Sequence, residues 1–180
     1  LKELFGCKII GPKNEAEKIP GIDTAVKGGD TFSWAGREVK VFDCPGHTRG
    51  HIAFYMPSEF SLFAGDTVFA MGCGRVNEGS MAEMWHSVNQ FRPLPPVTHV
   101  YCGHEYTLAN IKFALTIEPD NAALKARAIQ AEQQIKAGRP TIPTTVKEEK
   151  LANPFLRADV PEVAALLGML NSCANGVSVV

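Results

Sequence analysis

The sequence predicts an α/β layered domain followed by a helical subdomain, and three observations carry that expectation. From Leu1 to Tyr106, short β-rich runs alternate with turn residues and one amphipathic helical stretch. From Thr107 onward the composition turns helical. The chain has 180 residues, 45% of them hydrophobic, a length at which folding buries roughly 70% of the unfolded surface. The expected division is therefore residues 1–106 and 107–180, strands with helices first and helices after.

The elements follow in order. Leu1 to Gly6 reads as the tail of a helix. Cys7 to Ile10 and Thr31 to Trp34 have strand length, and Gly11-Pro12 after the first is turn chemistry. The turn Ala35-Gly36-Arg37 leads into Glu38 to Phe42, whose alternation places Val39 and Val41 on one face of a hairpin. Ile52 to Met56 and Ser61 to Ala64 are strands separated by the polar turn Pro57-Ser58-Glu59. Met81, Met84, Trp85, Val88 and Phe91 fall at helical spacing, with Ser80 as N-cap and Glu83 completing a capping box. Val97 to Cys102 is β-rich and runs directly into Gly103-His104. Ala109 to Ile117 and Asn121 to Ala137 are helical, and Gly138-Arg139-Pro140 stops the second. Thr141 to Phe155, rich in proline and with a Lys-Glu-Glu-Lys cluster, is expected to be extended and exposed. Val160 to Leu170 is expected to close as a short helix.

Composition narrows the function classes. The formal net charge is −1 with acids and bases interspersed, so neither a nucleic acid nor an anionic membrane is the expected partner. The longest apolar runs fall far short of the ~18 residues a membrane span needs. The cysteines Cys7, Cys44, Cys73, Cys102 and Cys173 are scattered, odd in number and without a CxxC pair. That pattern favours reduced thiols in a reducing compartment, the cytoplasm.

Three residues stand out chemically, each wrapped in glycine just after a strand-like run: His47 in Pro45-Gly46-His47, Asp66 in Gly65-Asp66-Thr67, and His104 in Gly103-His104-Glu105. Loops at strand ends project side chains toward a common point. Two imidazoles and a carboxylate suit zinc, iron or manganese. A lone Gly-His or Gly-Asp after a strand is more often turn chemistry, so the set of three carries the reading. His47 and His51 have the i, i+4 spacing of a helical metal pair, but Gly46 and Gly50 oppose a helix, and His51 reads as a structural hydrogen-bonder. His86 and His99 read as packing or surface residues, Cys44 and Cys102 as structural thiols, and Met81 and Met84 as core.

The words around these residues are specific: Pro45-Gly46-His47-Thr48-Arg49-Gly50-His51, Phe63-Ala64-Gly65-Asp66-Thr67-Val68-Phe69, Gly72-Cys73-Gly74-Arg75 with Glu78-Gly79-Ser80, Cys102-Gly103-His104-Glu105-Tyr106-Thr107, and Asn153-Pro154-Phe155-Leu156-Arg157. In order and spacing, residues 1 to 157 resemble the glyoxalase II (hydroxyacylglutathione hydrolase) family of the metallo-β-lactamase superfamily. The resemblance implies a metallo-β-lactamase-type αββα sandwich, incomplete at its N-terminus, with a C-terminal helical subdomain. It also implies a monomeric enzyme that hydrolyses a glutathione thioester such as S-lactoylglutathione, using a metal-bound hydroxide. His47 would be a ligand of one metal, His104 of a second, and Asp66 the catalytic carboxylate bridging both. The two divalent ions would be zinc, with iron or manganese as alternatives. Arg75 and Tyr106 would contact the substrate.

The family's THxHxDH motif, expected upstream of Leu1, would supply the remaining ligands; no HxH pair occurs in this chain. The family also ends in a basic cluster that holds glutathione's glycyl carboxylate. Here no Lys or Arg follows Arg157, and Asn77 stands where an aromatic is common. Two alternatives remain open from sequence: a persulfide dioxygenase of the same fold with one iron, and a non-catalytic chain or conjugate binder.

Overall fold

The computed structural model describes residues 1–166. The end of the expected helix Val160 to Leu170, Cys173 and the non-basic tail lie outside the described residues in whole or in part. Helix α1 (Lys2–Phe5) stops at Gly6, which adopts the left-handed conformation of a helix C-cap. Strand β1 is Ile10–Pro12, not Cys7 to Ile10, and it pairs in parallel with β2 (Thr24–Val26). The expected turn residues Gly11 and Pro12 are thus the strand itself. Proline is tolerated there because β1 is an edge strand of a two-stranded sheet.

The main sheet begins with the predicted hairpin, β3 (Thr31–Trp34) and β4 (Arg37–Asp43), and Val39 and Val41 are buried together. It continues antiparallel through β5 (Ile52–Met56) and β6 (Ser61–Gly65). A small hairpin follows, β7 (Val68–Phe69) with β8 (Gly72–Cys73). Helix α2 (Met81–Asn89) starts on the Ser80/Glu83 capping box, with both reciprocal bonds formed. It carries the chain back to β9 (His99–Cys102), parallel to β6.

Beyond β9 come α3 (Thr107–Ile117) and α4 (Ala122–Lys136), the latter capped by Asn121. Thr141 to Phe155 departs from expectation. It forms β10 (Thr144–Thr145), an edge strand on β9, then α5 (Val146–Ala152) and a 3₁₀ turn at Pro154–Leu156. The reason is a second capping box, Thr145 with Glu148, hidden in a stretch whose prolines and charges suggested loop. Lys147 and Lys150 face solvent while Glu149, Ala152 and Asn153 are buried. Helix α6 (Pro161–Leu166) closes the described part.

The six strands lie in the order β10-β9-β6-β5-β4-β3. Tyr55, Leu62, Ala64 and Val100 of the sheet form one core with Met84 and Val88 of α2 and with Phe91. Leu62 is fully buried and Phe91 is 2% exposed; full burial of each such side chain contributes about 1.5–3 kcal/mol. A second core gathers Ile111, Ala114, Leu124, Ala131 and Ala152 around Met71 of the β7–β8 turn. The small hairpin is therefore gripped by the helical part of the chain.

Candidate metal centre

Strand direction brings the three glycine-flanked residues together. β4 and β6 are both antiparallel to β5, and β9 is parallel to β6. All three strands thus end on the same edge of the sheet, where α/β folds place their ligands. His47 leaves β4, Asp66 leaves β6 and His104 leaves β9. His47 Nε2 lies 3.3 Å from Asp66 Oδ2, and His104 Nε2 lies 3.5 Å from the same oxygen.

The imidazole of His47 is oriented from behind, since its Nδ1–H faces the Arg75 carbonyl oxygen at 2.9 Å. With that proton committed, Nε2 presents a lone pair toward a carboxylate oxygen. Two lone pairs at this separation repel unless a proton or a cation lies between them. Two donors bound tetrahedrally to one zinc at ~2.0–2.2 Å would stand about 3.4 Å apart. The residues present thus fit a divalent ion on each side of Asp66. Among the described residues, no group of three or more His, Cys, Asp or Glu side chains is placed to hold one metal ion. The arrangement is a carboxylate between two histidines, not one closed site.

Neighbours fix the remaining geometry. Asp66 is packed from two sides by residues without side chains: a Cβ at Gly74 would overlap its carbonyl oxygen, and one at Gly103 would overlap Oδ1. Its backbone N–H donates to His51 Nε2 at 3.1 Å. His51 is thus a hydrogen-bonding support, and burial lowers its pKa, keeping the ring neutral. His104 is half exposed and stacks on Tyr106, ring centroids 5.0 Å apart at 14°. Phe69 stands edge-on to both rings.

Two supports escaped the sequence reading. Phe69 carries no signal beyond strand hydrophobicity. Glu105 sits beside His104 but turns away to accept from the backbone N–H and the hydroxyl of Thr141, at 2.7 Å for the hydroxyl. These bonds hold its carboxyl below the usual carboxylate range.

The other candidates separate cleanly. His86 and His99 are exposed on the surface. Burial pushes the thiols of Cys44 and Cys73 up to about 12 and raises that of Cys102, so all three stay protonated near neutral pH. Met84 is core, whereas Met81 is exposed. Arg75 is exposed at the mouth of a largely apolar groove of about 580 Å³, shared with Asn77, Met81 and Trp85. Arg75 thus adjoins His47, and Tyr106 adjoins His104. The Asn77 carboxamide lies 3.4 Å from His47 Nδ1.

Comparison with known proteins agrees with this fold. Residues 5–104 match the family model for the metallo-β-lactamase superfamily, and residues 105–179 match the model for the hydroxyacylglutathione hydrolase C-terminus. The hydroxyacylglutathione hydrolase of Hyphomonas neptunium is 52% identical over 97% of this chain and 68% of its own length. That of Rhizobium meliloti is 54% identical over 94% of this chain and 66% of its own length. The chain thus spans about two thirds of these curated relatives. Among solved structures, ETHE1 from Myxococcus xanthus superposes with a TM-score of 0.61 over 97% of this chain and 60% of that one, at 22% identity, a likeness of fold alone. The chain belongs to the hydroxyacylglutathione hydrolase family, within the metallo-β-lactamase superfamily.

Proposed function

We propose that this chain carries part of the dinuclear centre of a glutathione-thioester hydrolase acting on substrates such as S-lactoylglutathione. The observation that carries the proposal is the Asp66 carboxylate held between two imidazole Nε2 atoms at 3.3 and 3.5 Å. In this reading His47 serves one ion, His104 the other, and Asp66 both. Zinc is the first choice, since imidazole and carboxylate donors suit it, with iron and manganese next. When bound, the ions supply Lewis-acid polarisation of the thioester carbonyl and a water that ionises near neutral pH.

The chain's own residues do the rest. The Arg75 carbonyl fixes the tautomer of His47, so that Nε2 is free to donate its lone pair. His51 holds the Asp66 backbone. Tyr106 covers one face of the His104 ring and leaves its own ring exposed toward solvent. Arg75 offers the cation for the anionic glutathione moiety. We assign residues 1–106 to the metallo-β-lactamase-type domain and 107–180 to the helical subdomain, a division supported by the two family models meeting at His104 and Glu105. We propose a monomer in the cytoplasm; the free thiols of Cys7, Cys44, Cys73 and Cys102 among the described residues fit a reducing compartment. No described helix is long and apolar enough to cross a membrane.

The test is to join this sequence to the family's upstream THxHxDH segment, load it with zinc, and follow loss of S-lactoylglutathione. Hydrolysis dependent on bound metal supports the proposal; a fully loaded protein that leaves the thioester intact overturns it. In the same protein, Arg75→Ala raises the Michaelis constant by one to two orders of magnitude. Charge-assisted hydrogen bonds contribute about 1.5–3 kcal/mol, and each ~1.4 kcal/mol is tenfold in affinity. The turnover number changes less, because Arg75 does not meet the developing charge. Steady-state kinetics that show a collapsed turnover at unchanged Michaelis constant would move Arg75 into the chemical step.

A further inference from the structure

The hairpin β7–β8 lies between two parts of the metal centre, Asp66 just before it and Arg75 just after. Its turn is Ala70-Met71, and Met71 holds a φ of 60° while fully buried. A side-chain-bearing residue adopts that conformation uncommonly, and in a buried turn its surroundings hold it there. Here the holding groups are buried side chains of the helical part. Glu149 Oε2 accepts the Met71 N–H at 3.0 Å. Asn153 Nδ2 donates to the Gly72 carbonyl at 2.9 Å and to Glu149 Oε2 at 2.7 Å. Asn110 Nδ2 donates to the Ala70 carbonyl at 3.0 Å. The second Glu149 oxygen pairs with the Thr144 hydroxyl at 2.6 Å.

From this clamped turn, three contacts reach the metal centre. Gly74 packs against the Asp66 carbonyl and its N–H donates to Thr67 O at 3.3 Å. The Arg75 carbonyl takes the His47 Nδ1–H. Phe69 lies against the rings of His104 and Tyr106. All three candidate ligands therefore have a neighbour on this hairpin (Phe69) or in the two residues that directly follow it (Gly74 and Arg75), and the hairpin is held by Glu149 and Asn153. Neither residue touches a candidate ligand.

Stability alone does not explain the clamp. Glu149 is 1% exposed, and among the described residues no Lys or Arg nitrogen lies within ion-pair reach of it. Buried polar groups of this kind often contribute less to stability than apolar residues of the same size. Burial pushes its carboxyl up to about 7, against the hydrogen bonds of Thr144 and Asn153.

We propose that Glu149 and Asn153 are positioning residues that set the β7–β8 hairpin and, through it, the orientation of His47, Asp66 and His104; the inference rests on the metal-centre reading above. Glutamine is neutral, has the same shape, and can accept from Met71 and Asn153 while donating to the Thr144 oxygen. Glu149→Gln should preserve the clamp, whereas Glu149→Ala and Asn153→Ala should release the turn.

Two readouts on the full 180-residue chain test this at a temperature where each variant is folded by circular dichroism. The first, independent of metal, is the hydrogen-bonded His47 Nδ1–H resonance in nitrogen-15 NMR. The second is zinc affinity by competition with a chromogenic chelator. Glu149→Ala and Asn153→Ala are expected to lose or broaden the His47 resonance and to weaken zinc binding roughly 10–100-fold, as supporting residues around metal ligands do. Glu149→Gln is expected to keep the resonance and bind within about twofold of the parent, well below the loss expected for the alanine variants. Folded alanine variants with an unchanged resonance and affinity would overturn the proposal, as would a Glu149→Gln variant as impaired as Glu149→Ala. If Glu149→Ala does not fold, Asn153→Ala decides alone. A parent that shows the His47 resonance but binds no zinc even when joined to the family's upstream THxHxDH segment would refute the metal-centre reading, while the NMR comparison would still decide the positioning claim.

Discussion

Asp66→Asn in the metal-loaded protein is expected to lower kcat/KM for S-lactoylglutathione by at least about three orders of magnitude. The amide keeps the shape of the carboxylate but removes the negative charge shared by both histidine sides, where Nε2 atoms stand 3.3 and 3.5 Å away. It also turns a donor NH₂ group toward one of two lone pairs. Lewis-acid stabilisation is worth several kcal/mol, and each ~1.36 kcal/mol is tenfold in rate. With Asp66 as the ligand both ions would share under the proposed function, its loss would cost thousands-fold in rate, and the bound metal measured by mass spectrometry should fall with it. A variant that keeps two ions and most of its activity would take the bridging role away from Asp66.

Gly74→Ala is expected to destabilise the fold by about 3 kcal/mol, at the upper end of what overpacking costs. Gly74 is buried, and the added Cβ would overlap the Asp66 carbonyl oxygen while standing 3.5 Å from the His47 Cβ. The obstacle is backbone and cannot swing aside. Relief requires moving either the Asp66 turn or the hairpin strand β8, so metal affinity should fall along with stability. Urea unfolding monitored by circular dichroism measures the first effect. A change below about 0.5 kcal/mol, the range of ordinary surface substitutions, would mean that the loop relaxes more easily than this packing implies.

Local signals were legible where a few adjacent residues decide the outcome. Ile52–Met56 has the same bounds as the strand read from its composition, and Ser80 with Glu83 starts α2 as the capping box requires. Val39 and Val41 share a buried face because strand alternation has only two options. The candidate site was legible as residue type and glycine context at His47, Asp66 and His104. Its assembly was not, because it depends on β4, β6 and β9 running in one direction, a property of strand order.

The misses have physical reasons as well. Thr141 to Phe155 reads as loop from its prolines and charges, yet the Thr145/Glu148 box starts a helix, and Glu149 is buried against Met71, 78 residues away. Ile10–Pro12 pairs with a strand that no periodicity marks. The support given by Phe69, Glu105 and Asn153 lies in contacts between distant segments, to which the sequence offers only residue types.

The central claim is that one carboxylate, Asp66, joins two ions held by His47 on one side and His104 on the other. Anomalous diffraction at the zinc edge, from crystals of this sequence joined to the family's upstream segment, tests it most directly. The account predicts two peaks, each within roughly 2.0–2.2 Å of an Asp66 oxygen, one bonded to His47 Nε2 and the other to His104 Nε2. A single peak that His104 does not ligate, or density at neither histidine, would contradict it.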